Sequence, residues 1–211
     1  MALRAVIFDY GVVLSGPADA HSHAELVRLT GLSKERFEQL YWTDRPAYDM
    51  GALNGDTYWQ KFFADAGLPF DIRVIEDLNY WDARLWGNEN SAMVAWQAQL
   101  KLAGLRTAIL SNMGDVILAH ILKVHKHWIH RFDALVWSFQ VGLVKPNPAI
   151  YRLTLDRLGT APEETLFIDD KMPNIEAARA LGICALRYST TGQLRDDLCR
   201  MALENELPLP G

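Results

Sequence analysis

Five short runs of apolar, β-prone residues punctuate the chain, at residues 5–8, 106–110, 134–138, 165–168 and 184–188. They are brief and nearly continuous in their apolar character, as strands buried on both faces are. Between the later runs lie stretches of helical periodicity at 91–103, 116–124, 148–158 and 174–181, the last followed by Gly182 as a stop. A further amphipathic stretch at 193–203 precedes the terminal LPLPG. Strands alternating with helices predict right-handed crossovers and a parallel sheet covered on both faces, an α/β architecture.

The alternation breaks once. The chain between the first and second runs is too long for a crossover loop. Its apolar positions recur at helical spacing at 24–29, from Ser33 through Phe37 and Leu40, at 58–66 and at 75–85. Pro46, Gly51, Gly55, Gly67 and Pro69 separate these stretches as inter-helix turns. The pattern therefore predicts a core of residues 1–14 and 92–211, with a small helical unit of residues 15–91 inserted after the first strand. Trp42, Trp59, Trp81 and Trp86 fall within the insertion and read as its apolar core rather than as a stacking platform. A Trp-rich unit of this kind is compatible with a monomer or a homodimer.

Composition narrows the partners. A formal net charge of -5 supplies no excess of Lys and Arg with which to neutralise phosphates, which excludes nucleic acid as a main partner. No window approaches the roughly 18 uncharged apolar residues of a membrane span, and MALRAVIF is too short an apolar segment for a secretory signal. The expectation is a cytoplasmic protein with no membrane partner. Cys184 and Cys199 have no metal-knuckle or disulfide spacing and read as reduced, buried thiols. His120, His125, His127 and His130 lack a clear zinc-ligand spacing and read as residues of a partly exposed helix and loop.

In open α/β sheets ligands bind beyond the carboxyl ends of the strands. Those ends present Asp9 after the first run, Ser111 and Asn112 after the second, and Asp169 and Asp170 after the fourth, while Lys145 lies in the loop after the third. Three carboxylates gathered at one edge would repel one another unless a cation joined them. The strings FDYGVVL, LSN at 110–112, VKPNPAIY around Lys145 and FIDDKMPN at 167–174, in this order, resemble the four motifs of the haloacid dehalogenase-like (HAD) hydrolase superfamily. The resemblance spans nearly the whole chain. It implies a Rossmann-like sheet of order 3-2-1-4-5 with an inserted type-one helical cap, and a small phosphorylated molecule as substrate. It further implies Asp9 as nucleophile, Lys145 and Ser111 as catalytic partners, and Mg²⁺ held by Asp9, Asp169, Asp170 and the Gly11 carbonyl. Asn112 and Gly11 would contact the substrate.

One departure from the family pattern bears on the chemistry. Most phosphatases of the superfamily carry a second Asp two residues after the nucleophile, where this chain has Gly11. The DYGVV string is closest to the D-x-G-x-V form of a sugar-phosphatase branch resembling α-glucose-1-phosphate phosphatases, which implies esters with good leaving groups. A cap residue would then have to supply any proton. His21, Arg45, Tyr48 and Asp49 are the candidates for leaving-group contact, with His21 the first choice as proton donor on its titration range. Two alternatives stay open: a metal-independent 2-haloacid dehalogenase using the same Asp9, and a non-catalytic phosphate- or protein-binding module.

Overall fold

The computed structural model describes residues 2–211. Five parallel strands, β1 (Ala5–Phe8), β2 (Arg106–Ser111), β3 (Ala134–Trp137), β4 (Thr165–Asp169) and β5 (Cys184–Arg187), form one sheet in the order β3-β2-β1-β4-β5. The order is the one that the resemblance implied. Between β1 and β2 run α1 (Ala20–Thr30), α2 (Lys34–Thr43), α3 (Arg45–Asp49), α4 (Gly55–Ala66), α5 (Ile75–Leu85) and α6 (Ser91–Leu102). The remaining helices are α7 (Asp115–Val124), α8 (Lys126–Ile129), α9 (Ser138–Val141), α10 (Pro148–Leu158), α11 (Met172–Ala180) and α12 (Thr191–Arg200).

Strand alternation distributes β1 between two cores. Val6 and Phe8 point into a cluster with Met93, Trp96, Ile117, Trp128 and Leu194, from α6, α7, α8 and α12. Ala5 and Ile7 point into a second cluster with Ile150 and Tyr151 of α10 and Ile175 of α11. Covering both faces takes most strand residues out of water, which is why the strand sequences are predominantly apolar rather than alternating.

The helices α1 to α5 bury a third cluster of their own, built on Leu26, Phe37, Tyr41, Tyr58, Trp59 and Leu78. Its helices are capped by the residues their sequences supply: Asp19 accepts from Ser22 N, Ser33 from Arg36 N, and Asn54 with Thr57 forms a reciprocal box. Gly31 and Gly67 end α1 and α4 in left-handed conformation. The two chain segments that leave and rejoin the sheet pair with each other. Gly16 N donates to Asn88 O at 2.8 Å and Asn90 N to Leu14 O at 2.9 Å, with a bridge between Ser15 and Glu89.

Several local expectations need correction. The turn expected at Pro46 is α3, in whose first turn proline is tolerated because no intrahelical N–H bond is due there. Gly55 is likewise the first residue of α4 rather than a turn. Cys184 is half-buried and Cys199 exposed, so neither is the buried thiol expected. Trp59 is fully buried, whereas Trp42 is exposed on α2.

Tyr48 was expected among substrate contacts; it is buried and packs the helical unit against the start of α7. Its ring stacks on Tyr58, and Val116 N approaches its hydroxyl at 3.4 Å. Directly beneath lies Gly114, where an added Cβ would overlap the Tyr48 ring. Glycine is thus required here by proximity and not by backbone angle. Gly114→Ala is expected to destabilise the fold by about 1–3 kcal/mol through overpacking, read as a lower midpoint in urea unfolding. A change below about 0.5 kcal/mol would mean that the two units do not sit this close.

Candidate active site

The carboxyl edge of the sheet assembles the polar residues that lie far apart in sequence. Asp9 follows β1 directly and still pairs with β4, its N–H donating to Ile168 O at 2.9 Å. Its Oδ1 also accepts from Tyr10 N at 2.7 Å. Lys145, buried in the loop after α9, places its Nζ 2.9 Å from Asp9 Oδ1 and 2.6 Å from Asp169 Oδ2. One ammonium therefore pairs with two buried carboxylates and leaves one negative charge over.

Asp169 is fully buried and its oxygens are committed. Oδ1 accepts from Lys171 N at 2.8 Å, and Asn174 Nδ2 reaches Oδ1 at 2.9 Å and Oδ2 at 3.0 Å. Asn174 had no role assigned from the sequence, and its signal was only its place at the end of FIDDKMPN. Asp170 is half-buried and lines the cavity over Asp9. Asn112 was expected to bind substrate, but its amide is spent on the loop backbone: Nδ2 donates to Lys145 O at 3.0 Å and Oδ1 accepts from Lys145 N at 2.8 Å. It sets the position from which Lys145 reaches inward. Ser111 is buried beside it with only a long 3.5 Å contact to Asn112 O, and also faces the cavity.

Opposite this floor, Trp42, Arg45 and Asp49 come down from α2 and α3 onto the same cavity. Val12, Trp86, Met113 and Ile117 complete an apolar wall. Arg45 is buried among the rings of Tyr41, Tyr48 and Tyr58 and paired with Asp82 and Asp49, each at 3.2 Å. His21 does not join the site. It is exposed on α1 with its ring edge-on to Trp81 at 5.2 Å, and it is not among the residues lining the cavity.

A family model described as haloacid dehalogenase-like hydrolase matches residues 3–182. The chain belongs to this family. Among HAD relatives, a bifunctional epoxide hydrolase 2 of Rattus norvegicus is 32% identical over 154 residues, covering 69% of this chain and 27% of that protein. The chain spans only about a quarter to two fifths of the length of the epoxide hydrolases it matches. A phosphatase of Mycobacterium tuberculosis is 23% identical, covering 95% of this chain and 94% of that one. The (S)-2-haloacid dehalogenase 4A of Burkholderia cepacia is 28% identical, covering 90% and 85%. Among solved structures, a HAD family enzyme of Bacteroides thetaiotaomicron, in complex with magnesium and inorganic phosphate, superposes with a TM-score of 0.73 at 18% identity. That match covers 89% of this chain and 94% of that one.

The HAD site's electrostatics bear on whether a divalent ion suits it. Burial pushes the Asp9 carboxyl up to about 7 against the pull of Lys145, and Asp169 and Asp170 add to the rise. Asp170 is raised by burial and then by Asp169. Burial works against the charged form of Lys145, but Asp169 and Asp9 overcome it and hold the ammonium well above its usual range. Burial also opposes the charge on Asp169, yet Lys145 and the N–H donors hold its carboxyl below the ordinary range. Asp9, Asp169 and Asp170 each offer an oxygen within 4.8 Å of the others. Three carboxylates against the one ammonium leave two negative charges uncompensated, with oxygen donors throughout, which suits a hard divalent ion such as Mg²⁺.

A carboxyl raised on folding contributes stability while protonated and loses it as pH rises, here between the ordinary 3.8 and about 7 for Asp9. Asp169, shifted the other way, loses its contribution only below the ordinary range. Magnesium is therefore expected to raise the thermal unfolding midpoint at pH 8, with an increment that shrinks as pH falls below about 7, where protons compete for Asp9. Asp170→Asn is expected to remove the increment. An increment independent of pH, or one that survives in Asp170→Asn, would count against an ion at this site.

Proposed function

We propose that the chain is a Mg²⁺-dependent phosphatase that hydrolyses small phosphate monoesters through an aspartyl-phosphate on Asp9. The observation that carries this reading is the Asp9 carboxylate at the floor of a cavity, 2.9 Å from the Lys145 ammonium and flanked by the open carboxylate of Asp170. A phosphomonoester is anionic and resists a carboxylate nucleophile, so positioning and charge neutralisation must do most of the work. Asp9, Asp170 and the Gly11 carbonyl would hold Mg²⁺, with Asp169 completing the acidic set while steadying Lys145. When bound, the ion neutralises charge on the phosphoryl oxygens. Lys145 would contribute the second positive charge, and Ser111 a hydroxyl donor. The magnesium and phosphate bound by the Bacteroides thetaiotaomicron enzyme support this choice of ligands.

In the same reading residues 15–91 act as a cap that closes over the site and excludes water. The apolar wall of Trp42, Trp86, Met113 and Ile117 suits a ring or apolar leaving group. Gly11 supplies no acid beside the nucleophile, so esters whose leaving groups depart with little protonation, such as aryl, acyl and sugar-1-phosphates, are the preferred class.

With Mg²⁺ present, turnover of p-nitrophenyl phosphate is expected to exceed that of glycerol phosphate. Asp9→Asn is expected to lower it by at least about a thousandfold, as removal of a nucleophile does in other enzymes. Equal rates for wild type and Asp9→Asn would sink the proposal in favour of a binding module. Chloride release from 2-chloropropionate in EDTA, with no phosphatase activity, would make the chain a dehalogenase.

A further inference from the structure

We infer that Asp49, on the last turn of α3, is the general acid and base that stands in for the side chain missing at Gly11. The inference rests on the phosphatase reading above and adds to it a proton source and a wider substrate class. Among the polar residues brought to the cavity by the inserted helices, only Arg45 and Asp49 carry ionisable groups, and Arg45 is a permanent cation. Asp49 Oδ1 accepts from Arg45 Nε at 3.2 Å, while Oδ2 takes no hydrogen bond among the described residues. A carboxyl at the cavity wall with one oxygen fixed and the other unbonded can carry a proton to a leaving oxygen.

The backbone around Asp49 is anchored to the nucleophile's side of the cavity. Its carbonyl accepts from Ser138 Oγ at 2.5 Å, and the same Oγ accepts from Met113 N at 2.9 Å in the loop that follows Ser111 and Asn112. A single hydroxyl therefore ties the end of α3 to the loop on the floor and fixes the Asp49 backbone beside the cavity that Asp9 also lines. The carboxyl's surroundings favour holding a proton. Burial raises it, Arg45 lowers it, Asp82 raises it and Lys171 lowers it, with a net rise. His21, the alternative donor, lies outside the cavity.

In the first step an Asp9 oxygen bonds to phosphorus, the ester P–O bond breaks, and the departing oxygen takes its electron pair together with the Asp49 proton. In the second, the Asp49 carboxylate takes a proton from water as the water oxygen bonds to phosphorus and the aspartyl P–O bond breaks. Ester and water give alcohol and inorganic phosphate, and both carboxyls return to their starting states. The assignment predicts that alkyl phosphates, which need a protonated leaving oxygen, are turned over through Asp49.

Gly11 provides an internal control. Its backbone lies at φ -61°, ψ 129°, open to any residue, and an added Cβ meets nothing within 4 Å. Phosphate release from the Mg²⁺-loaded enzyme is to be measured with glycerol phosphate and p-nitrophenyl phosphate across pH, for wild type, Asp49→Asn and Asp49→Asn/Gly11→Asp. Asp49→Asn is expected to lower kcat on glycerol phosphate by about 10²–10⁴-fold and on p-nitrophenyl phosphate by less than about tenfold. The alkaline limb of the glycerol phosphate profile should vanish with it, and Gly11→Asp should restore much of the lost rate. An equal loss on both esters, with the pH profile intact and no rescue, would make Asp49 a support for Arg45 and overturn the assignment. Failure of the phosphatase reading is separate, since it would appear as wild-type turnover that does not depend on Asp9. A readout free of turnover is the carboxyl ¹³C NMR titration of the ion-free protein. The resonance lost in Asp49→Asn is expected to titrate above the ordinary Asp range, and one titrating within it would also overturn the assignment.

Discussion

The Lys145 ammonium, held between Asp9 and Asp169 at 2.9 and 2.6 Å, is the interaction around which the rest of this edge is arranged. It is buried, and so are both of its partners. Two carboxylates this deep without a cation would be driven to protonate, and a lone ammonium in their place would lose its charge. Each group stays ionisable because the others are present. The parallel sheet makes this possible by bringing β1, β2 and β4 to a common edge, while Asn112 holds the loop that carries the lysine and Asn174 and Lys171 N hold Asp169. Much of what surrounds Asp9 is thus support for one charge.

That support divides labour between two adjacent aspartates. Asp169 faces inward and is saturated by donors, whereas Asp170 faces the cavity and is open. A pair that looks redundant in sequence has one member committed to protein structure and one free for a ligand. The helical unit above follows a similar logic. Its buried Arg45 is hemmed in by three tyrosine rings and two carboxylates, so a charge at the cavity roof is fixed in direction before any ligand arrives.

The strands and the floor of the site were legible in the sequence because both depend on short-range signals. Apolar runs ending in Asp9, Ser111 and Asp169 mark strands and the polar edge beyond them at once, and each predicted strand lies within a residue of its observed bounds. The roof was legible only in part: Arg45 and Asp49 were among the candidates named from the sequence, whereas Trp42 was read as apolar core. Trp42, Arg45 and Asp49 reach the cavity through the tilt of α2 and α3, which is set by packing of Tyr48 on Gly114 and by the Ser138 hydroxyl, contacts between residues dozens of positions apart. His21 was preferred on titration range alone, and titration range says nothing of where a side chain lies. Pro46 was read as a break because proline disrupts helix interiors, and the sequence does not reveal that a first turn begins just before it.

The open space around Gly11 has an evolutionary consequence. Two of the four glycine codons become aspartate codons by one change at the second base, and neither backbone angle nor neighbouring atoms oppose the exchange here. From either of those codons the form of the site that most HAD phosphatases carry is one mutational step away, with no remodelling of the turn needed along the way. The residue at position 11 is thus free to follow the chemistry of the site rather than the needs of folding.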